Sequence, residues 1–282
     1  MVLLTGAARV AGVIGWPVAH SRSPRLHNHW LQRHGIDGAY VPLPVAPGAL
    51  AAAVAGLRAA GLRGANVTLP HKEAAFAVCD QLDASAVRAG AVNTLVFGPD
   101  GVAGLNTDGA GCLANLRAHG VEPGGPALLL GAGGAARAVA AALLDAGAAV
   151  SVANRSRERA ERLAEALPGL RVLDWAAREA ALADHALLVN TTSLGMTGHD
   201  ALVLDLARAG PGLAVADIVY APLETGLLAR ARARGLRAVE GLGMLLHQAR
   251  PGFAAWFGVE PEVDAETWAL LAADLLPRQD AG

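Results

Sequence analysis

The sequence predicts a two-domain α/β protein, and three observations predict it. Short β-rich runs alternate with Ala-rich helical stretches along the chain, the pattern of a parallel sheet with helices on both faces. Near the middle, Leu128-Leu129-Leu130-Gly131-Ala132-Gly133-Gly134-Ala135-Ala136-Arg137 reads as an apolar strand, a glycine turn and a helix start. The last stretch, Gly243–Phe257 and Ala265–Leu275, holds two helices with no strand to complete, so it is expected to pack back on the first domain. The domains expected are 1–107, completed by 242–282, and 108–241.

Local pattern justifies each element. Val10–Ile14, Ala39–Val45, Leu62–Val67 and Ala91–Phe97 are short apolar, β-rich runs and read as strands. Between them, Ser23–His34 and Pro47–Ala60 carry a period near 3.6 and read as helices. Pro24 suits the first helical position, having no N–H to leave unpaired, with Ser23 as the expected cap. Gly98-Pro99-Asp100-Gly101 is a turn that joins Ala91–Phe97 to Val102–Leu105 as a hairpin. The second series opens with helix Asp108–His119 and the Pro/Gly spacer Glu122–Pro126. Strand Ala127–Leu130, helix Gly134–Ala146, strand Ala149–Ala153 and helix Arg157–Leu167 follow. Strands Leu187–Asn190 and Leu213–Ile218, helix Leu223–Arg234 and strand Leu236–Val239 complete it.

Composition narrows the function classes. The chain has 282 residues, 53% of them hydrophobic, enough for two cores. Charged residues make up 17% and the net charge is −2, so no global field attracts nucleic acid or an anionic membrane. No apolar run reaches the roughly 18 residues of a spanning helix. The stretch Met1–Gly6 lacks the basic start and long apolar run of a signal peptide. Cys79 and Cys112 fall on apparent helices among apolar neighbours and read as buried free thiols. The histidines show no metal-binding spacing, and His27 and His29 point to different helix faces, so no metal is expected. The expectation is a cytoplasmic protein acting on a small molecule, as a monomer or homodimer.

The glycine turn carries chemistry. Gly131 permits the tight turn, Gly133 lets backbone approach a pyrophosphate, and Ala136 is small enough for the helix to lie close on the sheet. Gly131, Ala132, Gly133, Gly134 and Ala135 thus form the expected phosphate cradle of a Rossmann-type dinucleotide domain, with the helix N-terminus facing the anion. The next strand ends in Asn154-Arg155-Ser156-Arg157-Glu158-Arg159, about 20 residues on, where an NAD site usually has a carboxylate on the ribose. No carboxylate stands at this strand end, and arginines cluster there instead. A charge-assisted hydrogen bond from arginine to phosphate contributes about 1.5–3 kcal/mol, so NADP is the expected cofactor. Arg155 and Arg159 are the expected clamp, with Asn154 and Ser156 beside them, while Arg157 and Glu158 read as a solvated helix face.

Of 23 basic side chains a single one, Lys72, is lysine. The bias fits a GC-rich genome, and the one lysine marks a place where a proton can be released and regained, as arginine cannot do. Polar segments surround it at strand ends and helix starts: Ser21-Arg22-Ser23-Pro24, Asn66-Val67-Thr68, Ala91-Val92-Asn93-Thr94 and Asn106-Thr107-Asp108-Gly109. Together with Gly15-Trp16-Pro17-Val18-Ala19-His20, Asn190-Thr191-Thr192-Ser193-Leu194-Gly195-Met196, Asp217-Ile218-Val219-Tyr220 and Gly241-Leu242-Gly243-Met244-Leu245, they closely resemble the shikimate dehydrogenase family. The motifs fall in that family's order.

The resemblance implies reversible NADPH reduction of 3-dehydroshikimate to shikimate, a step toward aromatic amino acids. It implies that Ser21 and Ser23 hold the substrate carboxylate, and that Thr68, Asn93 and Gln248 bind ring hydroxyls or fix their neighbours. Lys72 and Asp108 match the catalytic pair, Tyr220 lies at the substrate, and Thr191, Ile218 and Gly241 lie at the cofactor. Ketone reduction moves negative charge onto oxygen, and a proton donor within reach stabilises it, which suits Lys72 independently. The implied site is a cleft between the domains, with hinges near Leu105 and at Gly241-Leu242-Gly243. Ala221 and Gly226 depart from an asparagine and a proline common in the family, a change in a loop rather than in the chemistry. The rival readings are a quinate/shikimate dehydrogenase of broader cofactor use, a Schiff-base lyase acting through Lys72, and a non-catalytic NADP-binding module.

Overall fold

In the computed structural model, which describes residues 4–275, the first sheet is mixed and the second wholly parallel. Met1–Leu3 of the N-terminal stretch, and residues 276–282 of the expected returning segment, lie outside the described residues. The chain divides into two units. One runs to Thr107 and takes in Gln248–Thr267; the other runs from Asp108 to His247 and takes up the chain again at Trp268.

The first unit contains β1 (Arg9–Gly15), α1 (Ser23–Arg33), β2 (Gly38–Pro44), α2 (Leu50–Ala59), β3 (Gly64–Val67), α3 (Lys72–Phe76), β4 (Gln81–Leu82), α4 (Ala84–Ala89), β5 (Thr94–Gly98) and β6 (Gly101–Leu105). The sheet order is β2-β1-β3-β5-β6-β4. Strands β1, β2 and β3 are parallel, and β5 turns antiparallel to both β3 and β6, so the Gly98–Gly101 hairpin forms as expected. One core joins Ile14, Val54, Val67, Ala86 and Leu95. A second is aromatic: His27 stacks on Tyr40 (4.0 Å, 6°), and Trp30, Phe253 and Trp256 surround them. Burial lowers the His27 pKa to about 3, so it is a neutral core group. Gly64, at φ +154, is where the backbone comes close. A Cβ there would overlap Trp256 Nε1, the group that donates to the Leu95 carbonyl (2.9 Å).

The second unit adds α5 (Asp108–Ala118), β7 (Ala127–Leu130), α6 (Gly134–Asp145), β8 (Val150–Ala153), α7 (Arg157–Ala166), β9 (Arg171–Leu173), α8 (Arg178–Ala181), β10 (Leu187–Asn190), β11 (Ala214–Asp217), α9 (Gly226–Ala233) and β12 (Arg237–Val239). Its order, β12-β11-β10-β7-β8-β9, is that of a doubly wound Rossmann sheet. Side chains along β7 alternate between two cores. Leu129 joins Val139, Ala140 and Leu143 of α6, while Leu128 and Leu130 join Leu188, Val215 and Leu228. These leucines are fully buried, each contributing roughly 1.5–3 kcal/mol. Helices α10 (Gly241–Phe257) and α11 (Ala265–Ala272) end the described fold.

Several expectations need correction. Helix α1 begins at Ser23 itself, with Arg22 at the cap position and Pro24 in the first turn, so the Ser23 side chain caps nothing. Cys79 is not on a helix. It follows α3 half-buried, its Sγ donating to the Ala75 carbonyl. Both cysteines are free, and burial pushes Cys79 up to about 11 and Cys112 up to about 12. Helix α10 starts at Gly241, not Gly243, and its first turns stay with the second unit. Asn115 Nδ2 donates to the Glu240 carbonyl (2.8 Å), and Gly243 lies so close to Asn115 that a Cβ would overlap its amide. The units therefore part between His247 and Gln248, not at 242, and Trp268 returns to the second by donating to Glu240 Oε1 (3.0 Å). Elements α3, β4, α4, β9 and α8 are too short to register as a sequence period.

Among the described residues no helix is long and apolar enough to cross a membrane, and no cluster of three metal-ligating side chains occurs.

Candidate active site

The first unit gathers polar groups at strand ends. Ser21 Oγ accepts from the Ser23 N–H (3.3 Å), which keeps the Ser21 proton for donation. Ser23 is buried and its hydroxyl bonds to that of Tyr40. Thr68 follows β3, half-buried, its N–H held by the Ile14 carbonyl (2.9 Å). Lys72 is the first residue of α3 and half-buried; its carbonyl accepts from Val92 N–H (2.9 Å), which fixes it beside the segment carrying Asn93. Asn93 precedes β5 and is buried. Its Oδ1 accepts from Thr107 N–H (2.9 Å) and Thr94 Oγ1 (2.9 Å), and its Nδ2 donates to Thr107 Oγ1 (3.0 Å). Thr107 Oγ1 also reaches Gln248 Oε1 on α10 (3.4 Å). Tyr40 OH donates to Asn66 Oδ1 (2.6 Å), and Asn66 Nδ2 donates to Thr94 Oγ1 (3.1 Å) and to the Asn93 carbonyl (3.2 Å). Ser23, Asn93 and Gln248 thus join one network. Burial holds the Tyr40 phenol well above its usual pKa, so it remains a neutral donor.

The second unit presents backbone. Gly131 has φ +109, and a Cβ there would meet Thr191 Oγ1 at 2.8 Å, so only glycine suits the turn. Thr191 itself is buried, its hydroxyl donating to the Leu130 carbonyl (2.7 Å). Gly133 and Gly134 are exposed, with open space where side chains would stand. Ala132 and Ala135 are half-buried on either side of them, and Ala136 is fully buried against the sheet. The cap of α6 is Gly133, with no side-chain hydrogen bond, whereas Ser156 caps α7 and Thr225 caps α9. The N-terminus of α6 therefore turns uncapped N–H groups outward, the environment an anionic phosphate needs.

The end of β8 is arginine-rich. Arg157 is occupied by Glu161 (2.8 Å) and Asp174, while Arg155 and Arg159 are exposed and hold no side-chain hydrogen bond or ion pair among the described residues. Asn154 Nδ2 ties the loop by donating to the Ser156 carbonyl (2.8 Å). The donor set and open cradle fit a dinucleotide with an additional phosphate.

Further along the sheet edge, Asp217 is buried at the end of β11 and accepts from Asn190 Nδ2 (2.9 Å), Val219 N–H (3.0 Å) and Thr225 Oγ1 (2.7 Å). Burial outweighs these donors and raises its carboxyl to about 6. Ile218 N–H bonds the Asn190 carbonyl (3.1 Å), and a Cβ on Gly241 would meet the Ile218 carbonyl at 2.5 Å, so Gly241 lets α10 start against this strand end. Tyr220 is half-buried beyond it, and Asp108 is buried at the first residue of α5.

Family models match two stretches: a shikimate dehydrogenase substrate binding domain over residues 13–95, and a shikimate/quinate 5-dehydrogenase domain over residues 122–196. A relative from Acidiphilium cryptum, a shikimate dehydrogenase (NADP(+)), is 71% identical over 98% of this chain and 100% of its own. Its counterpart from Gluconobacter oxydans is 56% identical over 99% and 100%. The chain belongs to the shikimate dehydrogenase family. A solved shikimate 5-dehydrogenase from Thermus thermophilus, in complex with NADP(H) and shikimate, superposes with a TM-score of 0.86 at 40% identity, covering 95% of this chain and 100% of that one. Within this family fold, sequence reasoning gave no role to Tyr40, Thr94 or Thr107, nor to Asn66, Asn190 and Asp217. A signal existed for some of them: Asn66 is the one polar residue of β3, whose every residue is buried, and Asp217 likewise ends a buried strand.

Proposed function

We propose that this chain is an NADP-dependent shikimate dehydrogenase that interconverts 3-dehydroshikimate and shikimate. The full-length match to the Acidiphilium cryptum protein carries the reading. The carboxylate-free, arginine-bearing end of β8 and the uncapped α6 support it. NADPH, when bound, supplies the hydride that reduces the ketone. Gly131, Ala132, Gly133, Gly134 and Ala135 hold the pyrophosphate; Arg155 and Arg159, with Asn154 and Ser156, hold the additional phosphate. Thr191, Ile218 and Gly241 line the nicotinamide end. Ser21 and Ser23 hold the substrate carboxylate, Thr68, Asn93 and Gln248 orient ring hydroxyls, and Tyr220 closes on the substrate. Lys72 gives a proton from Nζ as negative charge grows on the carbonyl oxygen, and Asp108 carries the second proton-exchanging group. Metabolic chemistry of this kind belongs in the cytoplasm, and a monomer or homodimer suffices for it.

Initial rates of oxidation of shikimate and quinate, each with NADP and with NAD, test the proposal. Shikimate with NADP should turn over fastest, by about tenfold or more over NAD, the effect of one arginine–phosphate contact. Absence of turnover with shikimate overturns it, and equal rates with quinate or NAD replace it with the broader quinate/shikimate activity.

A further inference from the structure

The side chain of Asp217 sits where two strands end side by side, since Asn190 and Asp217 are register partners at the last positions of β10 and β11. Its two oxygens hold different groups. Oδ1 accepts from Val219 N–H (3.0 Å) and Asn190 Nδ2 (2.9 Å), and Oδ2 accepts from Thr225 Oγ1 (2.7 Å). Val219 and Thr225 are the two ends of the segment that leaves β11 and enters α9, so one carboxyl group closes that segment at both ends. Midway, Thr197 N–H donates to the Ala221 carbonyl (2.8 Å) and ties the middle to the neighbouring loop. Packing gives the segment little support. Pro222 and Glu224 are exposed, and a cavity of about 160 Å³ is lined by Leu194, Leu202, Asp217, Thr225 and Leu227. A void supplies no partner atoms, so directional hydrogen bonds carry the task of holding this stretch.

We infer that Asp217 is a positioning residue: its two oxygens clamp both ends of residues 219–225, and so set the places of Ile218 and Tyr220 at the nicotinamide end of the cofactor site. The Oδ1 bond to Val219 N–H turns the chain back across Ile218, and the Oδ2 bond fixes the far end, with Tyr220 between them. The clamp itself rests on geometry alone, and only its effect on cofactor and turnover rests on the shikimate dehydrogenase reading. The phosphate cradle stands on β7 and α6, and Arg155 and Arg159 follow β8, away from the groups that Asp217 bonds. Losing the clamp therefore loosens one end of a bound dinucleotide and leaves the other as it was. Asparagine reproduces the clamp without a charge. Its Oδ1 accepts the same two N–H groups, and its Nδ2 donates to Thr225 Oγ1, an oxygen that can also accept.

The chain has two tyrosines, and Tyr40 lies in the other unit, so labelled tyrosine reports the segment by NMR with an internal control. In Asp217→Ala the Tyr220 ring signals should move while those of Tyr40 stay. NADP affinity, read by calorimetry, should fall about tenfold, and kcat with shikimate should fall about 10- to 100-fold. Affinity for adenosine 2′,5′-bisphosphate, which has the extra phosphate but no nicotinamide, should not change. Asp217→Asn should return all of these to near the native values. A Tyr220 that does not move, equal losses of NADP and the bisphosphate, or an asparagine variant as impaired as the alanine one overturns the clamp. Native protein that turns over no shikimate overturns the functional reading instead, and Tyr220 still decides the clamp. If Asp217→Ala fails to fold, Thr225→Val removes one end of the clamp, Thr225→Ser restores it, and the same readings apply.

Discussion

In the second unit the groups we propose for the ligand are backbone and contiguous: Gly131 to Gly134 and the first turn of α6. In the first unit they are side chains drawn from separate places: Ser21 and Ser23 before and in α1, Thr68 after β3, Asn93 before β5, and Gln248 on α10. The difference follows from the targets each can recognise. A phosphate is a compact, symmetric anion, and any row of N–H groups at a helix N-terminus satisfies it. A small polyhydroxylated ring has donors and acceptors at fixed angles, and matching it needs side chains whose orientations are set one by one. Recognition by backbone can thus be encoded within a single strand–turn–helix, whereas recognition by side chains needs the whole first unit to be folded.

Four changes break or sharpen this contrast, the largest first. Lys72→Met removes the side-chain ammonium proposed as the proton donor. It should lower kcat by about 10²–10⁴ while KM for shikimate stays level, read from steady-state kinetics. An equal loss in binding would make Lys72 an anchor for substrate and no more.

The second concerns charge. The first unit's hydrogen-bond network is built of neutral groups, whereas the strand ends of the second are pinned by Asp217, whose carboxyl sits near 6 instead of 3.8. The folded chain holds a proton there that the unfolded chain has released, so stability falls as pH rises between those two values. The full effect is roughly 3 kcal/mol, with no further loss above the folded pKa. Urea unfolding across that range should show the slope, and Asp217→Asn should flatten it; a slope that survives in the variant belongs to other groups.

The third tests the turn. Gly131→Ala forces a Cβ into a left-handed backbone and against Thr191 Oγ1. It should cost about 1–3 kcal/mol of stability and weaken NADP, while shikimate affinity measured by calorimetry stays unchanged. The fourth separates neighbours. Arg155→Ala should weaken NADP about 10- to 100-fold without affecting NAD, whereas Arg157→Ala, which breaks only exposed pairs with Glu161 and Asp174, should shift stability by about 0–1 kcal/mol. Equal effects of the two variants on NADP would remove the assignment of the clamp.

The same contrast decides what could be read before the structure. The strand–turn–helix at Leu128–Arg137 is legible because its signal is local, and the long alternating series placed most of the second sheet correctly. In the first unit, the residues from α3 to α4 escaped because each element is only a turn or a pair of bridges long, held by tertiary contacts such as Asn106 N–H donating to Ser85 Oγ (2.9 Å). Ser23 looked like a cap because serine before proline commonly is one, but its hydroxyl is drawn to Tyr40 by burial. Tyr40 itself carried no signal, since an apolar strand with a tyrosine in it reads as core. Asn66 and Asp217 could have been found as polar residues inside strands with every residue buried. Their partners could not, because hydrogen bonds across strands depend on register.

Lys72 stands half-buried at the start of α3 as the sole lysine of the chain. Amine-directed reagents consequently have one lysine address in this chain, and isotope-labelled lysine yields a single side-chain signal. Without any engineering, the protonation of one side chain can be followed through a whole reaction cycle as one line in a spectrum.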